Sequence, residues 1–325
     1  MYLWSYKSDQ AEKCELIMQS EKFNDSVTSL SFSCDGKYLA SADMAGNIRV
    51  YLIENKTLFW SYEVGSDLET LDWHPNCNVL FCGTSDGQFI MFKISSNEVK
   101  IMYSGNNSSV TCFKILKDGK RAVCGYNNGS VRFWDLKTSE TTVNITNAHQ
   151  DAIMCIDLSP DGNLIATGGV DMKVNLINTN TGKSINCFLC GNVPKRKSKD
   201  DEVEDEEEII ENSIETLSFC KTMPMLACGT LKGELFVWDL NSQMVRNKFE
   251  NDGHGFSKIL WSSNDETLFS ASLNGCVYIF DGRNLTLLKK IKCHHNEILD
   301  MCVNLNLKLF FTISTDQTVR IFKSD

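Results

Sequence analysis

The sequence predicts an all-β fold built from recurring four-stranded sheets, and three observations carry that expectation. Seven segments begin alike, VTSLSF from Val27, LETLDW from Leu68, VTCFKI from Val110, IMCIDL from Ile153, IETLSF from Ile214, FSKILW from Phe256 and ILDMCV from Ile298, at spacings of 41, 42, 43, 61, 42 and 42 residues. A later apolar run closes on a large side chain, as in VRFWDL at Trp134, LFVWDL at Trp238, VYIFDG at Phe280, IRVYLI at Tyr51, FIMFKI at Phe92 and VRIFKS at Phe322. Gly, Asn and Asp turns separate the runs. A fixed period comes first in the argument because it defines what one structural unit is.

The elements follow in order. Short runs rich in Val, Ile, Phe and Tyr, bounded by turn residues, are strands, and no interval between them is long or periodic enough for a helix. Asp35-Gly36, Asp118-Gly119 and Asp161-Gly162 join the first strand to the second. Asp86-Gly87, Asn128-Gly129 and Asn274-Gly275 join the second to the third. These pairs supply the positive φ angles that tight hairpins require. A period of about 40 to 45 residues ending in Trp-Asp marks a propeller blade, a sheet that must press both faces against neighbours.

On these residues the chain resembles the WD-repeat family over essentially its whole length. The family places a Gly-His near the start of a repeat, Trp-Asp near its end and an Asp in the tight turn between. Here only His149 and His294 hold the histidine position, and only Asp43, Asp86, Asp171 and Asp316 the turn position. The resemblance implies that these groups hydrogen-bond within the blade and that the other repeats rely on packing. A narrower likeness lies in DGKRAVCGYNNGSVRFWDL, NSIETLSFCKTMPMLACGT and NEILD, which resemble the angio-associated migratory cell protein group. That group includes a yeast chaperone dedicated to a large-subunit ribosomal protein. It also carries an acidic segment and two more strands ahead of the point where this chain starts.

Eight third-strand runs, counting LWSY at Trp4, stand against seven first-strand runs, so the chain starts within a repeat. Residues 1–20 then form a partial N-terminal repeat and closing strand, and residues 21–325 the WD-repeat propeller. Sheet edges invite unwanted pairing, and a ring removes them by completing its last blade from the other terminus. The expectation is therefore seven blades, closed by the outer strand Lys13 to Ser20 against Ile298 to Lys323. The alternative is an eight-bladed ring with an incomplete first blade.

The 61-residue interval contains the insert 194–211, PKRKSKDDEVEDEEEIIE. Lys195 to Glu211 holds four basic and nine acidic residues, a net of −5 and half of the chain's −10. With so few apolar groups it reads as a charged, mostly acidic loop, solubilising or partner-binding. Ser198 precedes Asp200, Asp201 and Glu202, which suits an acid-directed kinase, so Ser198 is a candidate phosphorylation site. The cluster Lys195-Arg196-Lys197-Ser198-Lys199 is similar to a nuclear import signal, against plain charge alternation as the simpler reading.

Composition narrows the function. The 14 cysteines fall in apolar strands rather than loops, which fits small core fillers in a reducing compartment. Cys187 and Cys190 have the spacing of half a zinc site, but no second pair follows. Five histidines are few for a catalytic centre, and the repeat register assigns His149 and His294 to structure. Gly182-Lys183-Ser184 is a strand-to-strand turn without the helix a phosphate loop needs. A pI of 5.1 disfavours direct nucleic-acid binding. No apolar run reaches a membrane span and no export signal opens the chain. The expected protein is a monomer without catalytic residues, metal or cofactor, cytoplasmic, with nuclear entry as the alternative.

Function is expected at the blade ends where first strands begin. The candidate partner-binding residues are Asp25, Asp67, Glu69, Asp151, Glu215, Glu297 and Asp300, with Asp200, Asp201, Glu204, Glu206, Glu207 and Glu208 of the insert. Their acidity suits a protein partner with a Lys/Arg-rich segment. Two readings stay open at this point: a signalling scaffold, as the migration-related resemblance implies, and a chaperone of a basic large-subunit ribosomal protein, as the yeast relative implies.

Overall fold

The computed structural model describes residues 1–7, 13–103, 105, 107–191, 212–262, 264–304 and 308–323. Among the described residues every regular element is a strand, and every sheet is antiparallel with strands in chain order. The chain divides into two compact units, Met1–Thr146 and Asn147–Asp325. The insert 194–211, with Ser198 and its six candidate carboxylates, lies outside the described residues.

In the first unit, three four-stranded sheets begin at Val27–Phe32, Leu68–Trp73 and Val110–Ile115. In the second, four-stranded sheets begin at Ile153–Leu158, Ile214–Phe219 and Phe256–Trp261, and a three-stranded sheet at Ile298–Asn304. These seven sheets are the seven blades of a β-propeller fold, as the period predicts. Second strands such as Val79–Thr84, from its second residue on, or Met225–Thr230 are buried on both faces, which is why they read as largely apolar runs. Fourth strands such as Thr57–Glu63 and Met244–Glu250 alternate, because one face meets solvent.

The outer strand that the sequence assigns to the last blade goes elsewhere. Lys13–Gln19 is hydrogen-bonded to Tyr2–Lys7, and the sheet of Ile298–Asn304, Leu309–Ser314 and Val319–Lys323 has three strands. A hairpin between near neighbours closes with little entropy loss, whereas the assigned pairing spans nearly the whole chain. The ribbon also keeps repeat register: its pairing shifts between Leu3 and Trp4, as the complete sheets shift between Val50 and Tyr51, Phe133 and Trp134, or Val237 and Trp238. Tyr2–Lys7 and Lys13–Gln19 are thus the third and fourth strands of a further repeat.

Sheets within each unit stack through apolar faces tied by indole N–H groups. Trp73 Nε1 donates to the Ser31 carbonyl at 2.9 Å in the first unit, and Trp261 Nε1 to Ser218 at 3.0 Å in the second. The two tryptophans hold the same repeat position, so a core side chain reaches one blade back to satisfy a buried polar atom. In the second unit Phe188 stacks on Trp238 with ring centroids 4.4 Å apart. Phe81, Phe92, Phe133, Phe256, Phe280 and Phe310 are fully buried.

The histidines stand where the repeat register puts them. His149 Nε2 and Thr167 Oγ1 lie 2.8 Å apart, and His294 Nε2 and Thr312 Oγ1 also 2.8 Å. The turns of these two blades place Met172 and Gln317 at φ 59° and 64°, where other blades use a glycine such as Gly275. At Gly275 a side chain is excluded, since a Cβ would run into the His294 carbonyl. At Met172 and Gln317 the neighbouring carboxylates of Asp171 and Asp316 hold the turn by accepting the N–H groups of Lys173 and Thr318.

Candidate partner-binding end

At one end of every blade the same local structure recurs. The carbonyl just before each first strand accepts an N–H from the turn joining the second and third strands. In the first unit the pairs are Met44 to Ser26, Ser85 to Asp67 and Asn127 to Ser109, at 2.9, 3.0 and 2.9 Å. In the second they are Val170 to Ala152, Leu231 to Ser213 and Leu273 to Gly255 at 2.9 Å, and Thr315 to Glu297 at 3.2 Å. First-strand starts and second turns are therefore presented together.

A second feature was not legible in the run of residues. Each of the seven first strands carries a bulge directly after its anchor, between Val27 and Ser29, Leu68 and Thr70, Val110 and Cys112, Ile153 and Cys155, Ile214 and Thr216, Phe256 and Lys258, and Ile298 and Asp300. A bulge leaves one residue out of the ladder and re-aims its side chain. The anchors from Leu68 onward are buried and Val27 is half-buried, while the bulged residues Glu69, Met154 and Leu299 are exposed. Buried residues then fall three places apart, as at Ile153 and Ile156 or Ile298 and Met301, where a flat strand would bury every second one.

The structure places the expected residues as follows. In the first unit Asp67 and Glu69 are exposed on either side of the Leu68 anchor, and Asp25 is exposed, with Oδ1 accepting the Ser26 N–H at 2.7 Å. In the second, Asp151 Oδ1 accepts the Ala152 N–H at 2.8 Å, and Glu215, a bulge residue, accepts from the Ser213 hydroxyl. Glu297 accepts from Thr315 Oγ1 at 2.7 Å, and this hydroxyl holds its carboxyl below the usual carboxylate range. Asp300 lies beyond the bulge and pairs with Lys258 at 3.4 Å, the same repeat position one blade earlier. Asp300 thus faces a cation already present, unlike Glu69 at the bulge. Exposed Met44 and Leu231 of the second turns join these acids, and sequence reasoning had passed over both.

Elsewhere the side chains with chemical potential have structural partners. His74 Nε2 lies 3.0 Å from the Gly119 carbonyl, and its Nδ1 accepts the Asn76 N–H at 3.1 Å. Cys187 is exposed while Cys190 is buried, so the two do not face one point. Among the described residues there is no group of three or more His, Cys, Asp or Glu that could hold a metal ion.

Models of two propeller families match the sequence: the Vps8 beta-propeller over residues 75–185, and the anaphase-promoting complex subunit 4 WD40 domain over residues 4–76 and 217–307. Angio-associated migratory cell protein of Homo sapiens is 36% identical over 310 residues, covering 95% of this chain and 70% of that protein. Ribosome assembly protein SQT1 of Saccharomyces cerevisiae is 26% identical over 305 residues, 86% of this chain and 67% of that protein. The crystal structure of Saccharomyces cerevisiae Sqt1 superposes with a TM-score of 0.83 at 20% identity, over 99% of this chain and 89% of that one. That of Chaetomium thermophilum Sqt1 bound to the N-terminus of ribosomal protein L10 gives 0.80 at 20% identity, over 95% and 87%. Period, blade structure and these likenesses define a WD-repeat propeller. Within that class, the chain belongs to the angio-associated migratory cell protein family.

Proposed function

We propose that this chain is a non-catalytic, cytoplasmic protein-binding propeller that holds a Lys/Arg-rich segment of a ribosomal protein at its blade ends. The observation that carries the reading is the set of exposed or half-exposed carboxylates, Asp25, Asp67, Glu69, Asp151, Glu215 and Glu297, repeated at first-strand starts. Carboxylates on rigid strand ends are pre-organised acceptors for guanidinium and ammonium groups, so little side-chain ordering is lost on binding. Exposed Met and Leu beside them would pack against the stems of the same basic side chains. The acidic residues Asp200, Asp201, Glu204, Glu206, Glu207 and Glu208 add a long-range field that draws in a basic partner, and phosphate on Ser198 would strengthen it. A solved Sqt1 bound to the N-terminus of a ribosomal protein supports this choice of partner.

A second reading, a scaffold for signalling partners in migrating cells, is favoured by the 36% identity to proteins named for migratory cells against 26% for the ribosome assembly protein. Affinity capture from cells at low and high salt, repeated with the insert carboxylates neutralised, separates the two. Recovery of one ribosomal protein, lost with salt and with neutralisation, is the expected result. Recovery of membrane-proximal signalling proteins, insensitive to both, selects the scaffold and overturns the proposal.

A further inference from the structure

Cys190 follows the fourth strand Ser184–Leu189, and Cys228 lies in the second strand of the next sheet, Met225–Thr230. Their Sγ atoms are 3.4 Å apart, and both side chains are 0% exposed. Both belong to one cluster with Met172, Phe188, Ile214 and Trp238. The sulfurs are in van der Waals contact, and a bond of about 2.05 Å asks for a further approach of roughly 1.3 Å. The two residues are 38 apart in sequence and bracket the connection that bears the charged run. Both roots of that connection lie at one side chain. Asn212 Nδ2 donates to Glu234 Oε2 at 3.3 Å, a Cβ on Gly191 would sit 3.3 Å from the same oxygen, and Lys248 pairs with Glu234 Oε1 at 2.8 Å.

We infer that Cys190 and Cys228 are a redox pair that closes to a reversible disulfide under peroxide, clamping the root of the acidic connection. The Cys190 thiolate attacks one peroxide oxygen, the O–O bond breaks, and water leaves with a sulfenic acid on Cys190. The Cys228 sulfur attacks that sulfur, the S–S bond forms, and the hydroxyl departs as a second water with the Cys228 proton. Two thiols lose two electrons and two hydrogens, and one hydrogen peroxide becomes two waters. Cys190 reacts first because it lies past the end of its strand, next to Gly191, whereas Cys228 is held in a central strand between Leu217 and Phe236. The contact with Cys228, together with burial, pushes the Cys190 thiol pKa up, so the closed form is inert. Oxidation therefore follows local opening and is slower than at exposed thiols.

The inference is independent of partner identity, so either can fail alone. The test uses the full chain with exposed Cys14, Cys34, Cys77, Cys187 and Cys302 replaced by serine. After hydrogen peroxide, the protein is alkylated in denaturant and digested for peptide mass. The expected product joins the Cys190 and Cys228 peptides, two hydrogens lighter than their sum, and dithiothreitol releases it. A linkage across so long a loop should raise Tm by about 5 °C. Cys190→Ala and Cys228→Ala should each abolish both changes. Recovery of both cysteines alkylated, or of either one as an unlinked sulfinic acid, overturns the inference. Because the decisive measurement is made on the chain that keeps both cysteines, poor folding of an alanine variant does not blunt it.

Discussion

His149 Nδ1 lies 2.9 Å from Asp171 Oδ1, with the ring fully buried and the carboxylate nearly so. A carboxylate only accepts, so Nδ1 carries a hydrogen toward Asp171, and Nε2 is held 2.8 Å from the Thr167 hydroxyl. Asp171 also accepts the N–H groups of Gln150 and Lys173, which joins the start of the blade to its second turn. His294 and Asp316 repeat the arrangement at 2.9 Å.

Removing the ring strands two buried partners at once. His149→Ala is expected to lower stability by about 2 to 4 kcal/mol in urea unfolding. His295→Ala, at an exposed position, is expected to change it by less than about 0.5 kcal/mol.

Acid should destabilise these two blades. Burial raises the Asp171 pKa, but the His149 ring and the two backbone N–H groups outweigh it and leave it below the ordinary 3.8. Asp316 is depressed chiefly by the Thr318 hydroxyl, with His294 adding to it. The unfolded chain therefore takes up protons at a pH where the folded carboxyls stay charged. Stability is full above about pH 5 and falls as pH drops through the ordinary carboxylate value toward the lower folded ones. Asp171→Asn should flatten that dependence in urea titrations between about pH 6 and 3, at the cost of a lower plateau. An unchanged slope would place the acid sensitivity elsewhere.

Close approach of adjacent blades fixes several glycines. A Cβ on Gly229 would lie 2.6 Å from Ile259 Cδ1 and 2.9 Å from Phe256 Cβ, and one on Gly168 2.6 Å from Ile214 Cγ2. Gly229→Ala should cost about 1 to 3 kcal/mol by overpacking, read as a lower urea midpoint with unchanged slope. In the first unit Cys124, which holds the repeat position just before Gly125, is 0% exposed in an apolar cluster, and Cys124→Ser should also destabilise by burying a hydroxyl there.

Carboxylates at the blade ends should matter to binding far more than to folding. Glu69→Gln, Glu215→Gln and Glu297→Gln together are expected to shift stability by less than about 1 kcal/mol. Affinity for a Lys/Arg-rich peptide should fall by about tenfold or more in low salt, with a smaller difference in high salt. Titration calorimetry at two ionic strengths reads both numbers.

Much of this was legible in the residues. The repeat of about 42 residues, the Asp-Gly and Asn-Gly turns and the aromatic ends of third strands located the strands, because turn chemistry and side-chain alternation are local properties. The same register separated His149 and His294 from any catalytic role. The bulges were hidden, since a one-residue slip depends on how two strands hydrogen-bond and leaves composition unchanged. Asp300 was grouped with the end-facing acids for that reason, while the structure gives it to Lys258.

Sequence by itself determined the unit: which residues form a strand, where each sheet turns, and which end of it carries acids. Tertiary structure decided what each unit meets. Leu30 and Leu71 hold the same repeat position, yet Leu30 is 55% exposed and Leu71 6%. Leu71 packs against the sheet of Val27–Phe32, whereas the ribbon preceding Leu30 in the chain supplies only third and fourth strands. Likewise Lys13–Gln19 has strand character wherever it goes, and its pairing with Tyr2–Lys7 was settled by the low cost of a short hairpin. Strand propensity is written in neighbouring residues, but burial and pairing belong to surfaces that only folding brings together.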